Sequence, residues 1–477
     1  MTAAAQPLAE IATPFRTSSA ALEVLGYLSV LAVATLCFVA GWLTLDGAMV
    51  LCTLLLLSLI VLAWMRLGQG RHPCFLFLCT LMFFQGGGLL AYCLGAEVDP
   101  LRVQLMTPNA FYLPRDDAGL VLLLLALSAI CIYAPCRWNY RPFGPPSDAA
   151  VRPYLPYLYI VFFSTLPLQL FKNYRYFEYA REHGGYTFIF VDHTALAASV
   201  PLLVRVIPLI TFPTLIGIFV FERRTKFLAL VTALYFTSAS FILLLGSRAA
   251  MFSLILGLWY VARIKSRRKP RILRLMVVLL VLLMIGDAVS KLREDEEVNT
   301  AFLPLKVLAV QGASLNVTEV AVKYRNILQP FGASYLLREL QNAFVPNDAG
   351  NYYRGRALAF DISVLLNPAL FAIGYGTGSS YVAEAYVLGG TLGVVAVSLL
   401  VGLLLHFANW FSRSAAGLFV VAMVLPEILI MPRNGLLDWF SVLLRTGVSV
   451  LLLALGWQVY RFVIPTTTGR KGGALVS

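Results

Sequence analysis

Apolar windows matched to the roughly 17 to 25 residues that cross a bilayer recur along nearly the whole chain. They lie near residues 22–42, 48–65, 73–94, 117–135, 153–171, 196–221, 226–245, 249–262, 272–290, 380–410, 415–431 and 436–463. In hydrocarbon every backbone N–H and C=O must be satisfied within the protein, so windows of this length are expected to become helices. The expected fold is an all-α polytopic membrane protein of about twelve helices, a single transmembrane domain over residues 1–477. Composition agrees: 59% hydrophobic residues, 13% charged and a mean hydropathy of +0.79 leave no room for a soluble domain of this length. The opening MTAAAQPLAEIATPFRTSSA lacks the basic region, short apolar core and cleavage site of a secretory signal, so the first window is expected to be retained.

The net charge of +13 does not point to nucleic acid, because the basic residues sit mainly between the windows. Arg66 and Arg71, then Arg137, Arg141 and Arg152, then Arg223, Arg224 and Lys226, and finally the run RIKSRRKPRILR occupy alternate loops. The intervening loops are poorer in Lys and Arg, so the basic set is expected to be cytoplasmic and both termini with it. Residues 263–271 then form a basic cytoplasmic loop, 172–195 a smaller outer loop, and 291–379 a large outer loop. Within the last, Ala357 to Ile373 is apolar but interrupted by Asp361, Asn367 and Pro368, and reads as re-entrant or interfacial. The seven cysteines contain no CxxC pair and read as buried small hydrophobes. Four scattered histidines give no histidine-rich metal site, and nucleotide-loop, GxSxG and HExxH motifs are absent.

Ionisable side chains in membrane windows are costly and point to function. Asp287, Glu384, Glu427 and Asp438 fall at outer helix ends, Arg248 and Arg433 in short outer turns, and Arg205 and Arg445 about midway into the bilayer. Their shared depth predicts a polar cavity open to the outer face. The stretch GYGTGSSYVAEAY opens the tenth window. Its glycines permit tight turns and its hydroxyls suit a helix cap. Glu384 is four residues after Ser380, not the three of a capping box. It either complements the helix dipole or acts as a proton acceptor. Free N–H groups at that helix end, together with Arg248 and Arg433 and the deeper Arg205 and Arg445, would bind an anion such as a diphosphate. Base and anion clamp together suggest group transfer, glycosyl transfer above all, on a polyprenyl-phosphate substrate; Asp287 and Glu427 are rival bases.

The pattern GYGTGSSYVAEAYVLGGTLGV resembles the G-S-S-x-x-A-E-x-Y-x-x-x-G-x-x-G stretch of O-antigen and related repeat-unit polymerases of the Wzy type. RHPCFLFLCTLMFFQGGGLLAYCLG and the SRAAM turn add weaker similarity. The resemblance implies a metal-independent, inverting glycosyltransferase of GT-C-like fold, without a cofactor, at the periplasmic face of a bacterial inner membrane. Its donor would be a growing glycan on undecaprenyl diphosphate, its acceptor a lipid-linked repeat unit, with membrane lipids and a chain-length regulator as candidate partners and no nucleic acid. From the motif, Glu384 carries over as base, with Gly378, Ser379, Ser380 and Tyr386 around it; Arg248 carries over from SRAAM, and Tyr381 joins Ser379, Ser380 and Tyr386 as a candidate substrate contact. Arg175, Lys323 and Arg325, in outer segments that mix basic with aromatic or apolar residues, are further substrate contacts. An R-x(10)-G pattern is not met, since Arg175 and Gly185 are separated by nine residues. A ligase of the same fold is the nearest rival, but the histidine such enzymes use in the large outer loop is missing between Lys291 and Arg356. A lipid-linked oligosaccharide flippase or other transporter is the rival from another class.

Overall fold

A computed structural model of the chain describes residues 15–103, 110–138, 152–183, 191–244, 248–266, 303–342 and 352–463, with the isolated positions 106, 140, 277, 281 and 284. It is almost wholly helical. α1 (Phe15–Val39) and α2 (Leu45–Arg66) follow the first two windows. The Thr44 hydroxyl caps α2 by accepting from the Gly47 N–H, while Asp46 in the first turn and Arg66 in the last complement the dipole. The third window is not one rod: α3 (Pro73–Phe84) and α4 (Gly87–Cys93) meet at 69° around Gln85 and Gly86. A two-residue hairpin, β1 (Arg102–Val103) with β2 (Phe111–Tyr112), precedes α5 (Arg115–Trp138). α6 (Leu155–Glu182) continues well past residue 171 into the expected outer loop.

The sixth window breaks into α7 (His193–Ala198), α8 (Leu202–Val206), a 3-10 turn over Ile207–Ile210 and α9 (Thr211–Phe221). Pro201 and Pro208 sit at these junctions, where their missing N–H costs least. α10 (Thr225–Leu244) and α11 (Arg248–Lys265) come next. The ninth window, 272–290, falls outside the described residues except at three positions, and Asp287 is outside them.

The expected outer loop, here the outer segment, is mainly helical over its described residues 303–342 and 352–372. It contains α12 (Leu303–Gln311), α13 (Ser314–Lys323), α14 (Arg325–Leu328), α15 (Gly332–Asn342), α16 (Leu358–Leu366) and α17 (Pro368–Ala372). α18 (Tyr381–Phe411), α19 (Ala415–Ile430) and α20 (Asp438–Val463) complete the chain. Seven described helical stretches, with Leu202–Phe221 (α8 through α9) counted as one, or eight if the bent α3 and α4 count as one span, are long and apolar enough to cross a membrane, fewer than the roughly twelve windows. α11 carries Arg248, Arg263 and Lys265, and α19 is only 16 residues long. The chain is a multi-pass membrane protein.

The main core joins α2, α3, α5, α11, α18 and α19. A second core is built from Val317, Val320, Leu328, Tyr335, Leu358 and Ile362 of the outer segment around Ala383 and Val387 of α18. The outer segment therefore rests on the first turns of α18. Two close approaches require glycine there. A Cβ on Gly312 would lie 2.1 Å from the Gly88 backbone nitrogen, and one on Gly332 would lie 3.0 Å from the Leu388 Cα. The residues that interrupt the 357–373 segment are local devices: the Asn367 side chain caps α17, and Asp361 accepts from the Tyr335 hydroxyl (2.6 Å), the Tyr352 hydroxyl (3.0 Å) and the Gly355 N–H (2.9 Å). At nine and five residues, α16 and α17 are each too short to span a bilayer.

The opposite end of the bundle is basic. Arg66 and Arg137 both pair with Glu23, Arg71 donates to the Ser266 carbonyl, and the Tyr260 hydroxyl near the end of α11 donates to Ser412 at the end of α18.

Candidate active site

The GYGTGSS loop and the turn between α19 and α20 are folded against each other. Gly374 (φ +92°) and Gly378 (φ +73°) take the left-handed conformation that other residues avoid. The Arg433 carbonyl would be in van der Waals contact, 3.4 Å, with a Cβ at Gly378, so it is the backbone conformation there that calls for glycine. The Thr377 N–H bonds the Ser363 hydroxyl at 3.1 Å, tying the loop to α16. Ser380 then caps α18, accepting from the Val382 N–H at 3.2 Å, and the Tyr381 N–H bonds the Met431 carbonyl. With those N–H groups taken, the helix end is not an open cradle for an anion.

Gln85, fully buried at the break between α3 and α4, locks the same junction from below. Its Nε2 lies 2.9 Å from the Ser380 hydroxyl, 2.6 Å from the Pro432 carbonyl and 3.2 Å from the Ser314 carbonyl. The glutamine of QGGG thus joins the bent helix, the outer segment, α18 and the turn that carries Arg433. The glycines beside it let α12 approach α4.

Three acidic side chains meet above this junction. Successive backbone N–H groups of the turn each serve a different carboxyl: Gly435 donates to Asp438 (3.0 Å), Leu436 to Glu384 (2.7 Å) and Leu437 to Glu339 (2.8 Å). Glu384 also accepts from the Ser379 hydroxyl, and the Glu339 and Glu384 carboxyls are neighbours on consecutive N–H groups of the turn. Glu384 and Glu339 are 5% and 7% exposed. A Cβ at 435 would fall 2.0 Å from a Glu339 oxygen and 3.3 Å from an Asp438 oxygen, so a larger residue there must displace the Glu339 carboxyl. Burial, with Glu384 and Asp438 beside it, holds the Glu339 carboxyl well above the usual carboxylate range. A positioned acid pair beside an arginine-bearing turn can exchange a proton with a hydroxyl and leave the neighbouring cation for an anionic group.

The sequence matches the family described as O-antigen polysaccharide polymerase Wzy over residues 145–461. The chain belongs to the Wzy family of O-antigen polysaccharide polymerases. No curated protein and no solved structure matches it.

The other candidate residues of this Wzy-family chain are distributed more widely. Arg433 lies in the carboxylate turn; its guanidinium bonds the Gln311 side chain and stands 5.7 Å from the Phe84 ring centre. Ser379 touches Glu384, whereas Ser380 and Tyr381 are fully buried and structural. The Tyr381 hydroxyl bonds Ser128 of α5, and its ring packs edge-on against Phe77. Tyr386, two residues beyond Glu384 and so about 200° around the helix, carries Arg325 over its ring at 5.2 Å. Arg325 also fills the kink of α18, 3.0 Å from where a Cβ on Gly390 (φ +61°) would be. It is therefore on a different side of α18 from the acid pair.

Lys323 sits 3.4 Å over the Phe111 ring, and Arg175 pairs with Glu178. Arg205 lies in α8 with its Nε buried and without a hydrogen-bond partner, near Tyr176. Arg248 begins α11. Glu427 of α19 is mostly enclosed and feels the charges of Asp438 and of Arg445, which is exposed on α20.

Glu339 escaped the sequence reading. The signal for it was periodic: Tyr335 and Glu339 lie four residues apart on one stripe of α15, and Tyr335 is buried in the second core. An acid in phase with that stripe is an enclosed acid. Away from this site, ligand atoms of buried His72, Cys74 and Cys136 lie within 4.8 Å of one another. They are already used in helix packing: His72 Nδ1 accepts from the Cys74 N–H and caps α3, and Cys136 Sγ donates to the Gly402 carbonyl at 3.2 Å.

Proposed function

We propose that this Wzy-family protein transfers a growing glycan from undecaprenyl diphosphate to the non-reducing end of a lipid-linked repeat unit, with Glu384 as the general base. Family membership supports the polymerase reading and a lipid-linked oligosaccharide as substrate. The single observation that carries the residue assignment is the setting of Glu384. Its Oε2 is fixed by the Leu436 N–H, while its Oε1 accepts from a small hydroxyl, that of Ser379. An acceptor sugar hydroxyl can replace Ser379 as donor to that oxygen at little cost, because one O–H···O contact is exchanged for another.

In the reaction, the acceptor O–H breaks and its proton goes to Glu384 as the new bond forms between the acceptor oxygen and the donor's anomeric carbon. The bond from that carbon to the diphosphate breaks, and undecaprenyl diphosphate leaves with the electron pair. A single displacement inverts the anomeric centre. Arg433, in the same turn, supplies positive charge where the leaving diphosphate develops its own, and a guanidinium fork suits phosphate oxygens. General-base assistance of this kind contributes roughly 100- to 10,000-fold.

The proposed orientation places this end of the bundle in the periplasm of a bacterium's inner membrane. Support comes from the basic loops, whose helix ends meet at the far end of the structure. The function is tested with the purified full chain in detergent and a chemically defined undecaprenyl-diphosphate repeat unit. A ladder of glycan products, with the new linkage inverted relative to the donor, is expected. Attachment to a lipid A core acceptor in place of a ladder would transfer the protein to the ligase class.

A further inference from the structure

We propose that Glu339, in the outer segment, is a positioning residue that shares one proton with Glu384 and, by keeping that proton on its own carboxyl, leaves the base ionised between turnovers. This rests on the reading of Glu384 as the general base. Glu339 and Glu384 are buried side by side on the adjacent Leu437 and Leu436 N–H groups, and two enclosed carboxyls held this close favour a state in which one of them is protonated. Neither acid can turn away freely: the Leu436 and Leu437 N–H groups hold one oxygen of each, and the space at Gly435 is filled by Glu339.

The charged groups that face Glu339 are Glu384 from α18 and Asp438 from α20, and Asp438 in turn faces Glu427 of α19. On its own helix, Arg338 is directed to Gln341 and the Tyr353 ring. Arg433 in the adjoining turn is bonded to Gln311. Desolvation and two acidic neighbours favour the neutral form of Glu339, which then donates to the Glu384 carboxylate. Ser379, the Leu436 N–H and the Glu339 acid give that carboxylate three donors, fixing its place.

The chemistry balances. The resting pair holds one proton and one negative charge. After the acceptor hydroxyl gives its proton to Glu384 the pair holds two, and one is lost to water before the next cycle. Because α15 belongs to the outer segment, the shared proton also couples the docking of that segment to the state of the base. If the segment lifts, Glu384 loses a donor.

The test compares wild type with Glu339→Gln and Glu339→Ala. Gln keeps a carbonyl for the Leu437 N–H and a donor for Glu384 but holds no titrating proton. In wild type, activity is expected to fall at alkaline pH as Glu339 ionises beside Glu384. In Glu339→Gln that alkaline fall should disappear while substantial activity at neutral pH remains, and Glu339→Ala should lose tenfold or more. A second readout needs no turnover: infrared difference spectra should show a protonated-carboxyl band in wild type that Glu339→Gln lacks and Glu319→Gln retains. An unchanged alkaline limb in Glu339→Gln, or an unchanged carboxyl band, overturns the shared proton. If the band behaves as expected but the wild type polymerises nothing, the functional reading fails and the proton-sharing pair stands.

Discussion

Replacing Gly435 with Ala isolates the carboxylate turn from everything else in the fold. Gly435 is not among the residues with positive φ, so alanine meets no backbone objection. Its methyl group would lie 2.0 Å from a Glu339 oxygen, against the 3 Å or more that real contacts need, while Asp438 at 3.3 Å needs to yield only slightly. Glu339 is the flexible partner and will rotate. In doing so it gives up the 2.8 Å bond from Leu437 and its place beside Glu384. A hydrogen bond to a neutral acid contributes about 1 kcal/mol and leaving a buried N–H unpaired costs about 1–3 kcal/mol, so the fold should lose about 2–4 kcal/mol, modest for a bundle of this size. Polymerisation should suffer more than folding: with its partner displaced, Glu384 is no longer held, and misplacing a catalytic group by about 1 Å costs on the order of 100-fold. The assay pairs thermal unfolding in detergent with initial rates of ladder formation. A Gly435→Ala protein that folds and polymerises at the wild-type rate would show that the acid pair does not matter to the reaction.

Further expectations follow from single groups. Arg433→Ala should reduce kcat/KM by 10- to 1,000-fold, of the size seen when one preorganised electrostatic contact is removed. Arg433→Lys should recover only part, because the ammonium lacks the fork; donor-dependent initial rates equal to wild type in both variants would make Arg433 a structural tie to Gln311. Glu319 of α13 is fully buried, with Asn316 donating at 2.6 Å, and burial pushes its carboxyl up to about 8 from an ordinary 4.5. A raised folded value means that its contribution is fully present below about pH 4.5 and is lost as pH rises through about 8, a change of the order of 5 kcal/mol at about 1.4 kcal/mol per unit. Melting temperatures at pH 5 and pH 9 should therefore diverge less in Glu319→Gln than in wild type, and equal divergence would contradict the enclosed neutral acid.

Much of the architecture was legible because long apolar windows leave few alternatives, and the helix starts were marked by capping residues such as Thr44, Ser380 and Ser414. The departures come from backbone breaks that hydropathy does not register. Window 73–94 stays apolar through the 69° bend at Gln85, and window 196–221 through Pro201 and Pro208. The site was half visible. Glu384 stood out as a charge inside an apolar run. Glu339 did not, because α15 also carries Arg338, Gln341 and Asn342 and reads as an ordinary surface helix until its buried face is counted. Nor could the sequence separate Ser379, which touches the base, from its neighbour Ser380, which is buried in a cap. That distinction rests on Gln85 and Pro432, hundreds of residues apart in the chain and joined only by the fold. Asp361 was read as an interruption and is instead the anchor of the outer segment, because three donors converge on it.

The most direct test of Glu384 as the base is polymerisation by purified Glu384→Gln beside wild type, on the same defined undecaprenyl-diphosphate repeat unit, with binding of the lipid-linked donor measured in parallel. The amide keeps the size of the side chain and an acceptor for the Leu436 N–H, but cannot take a proton from a hydroxyl. The expected result is donor binding within about threefold of wild type and ladder formation reduced by 100-fold or more. A Glu384→Gln protein that builds the wild-type ladder at the wild-type rate would contradict the assignment and leave the base to be sought at Glu427 or Asp287.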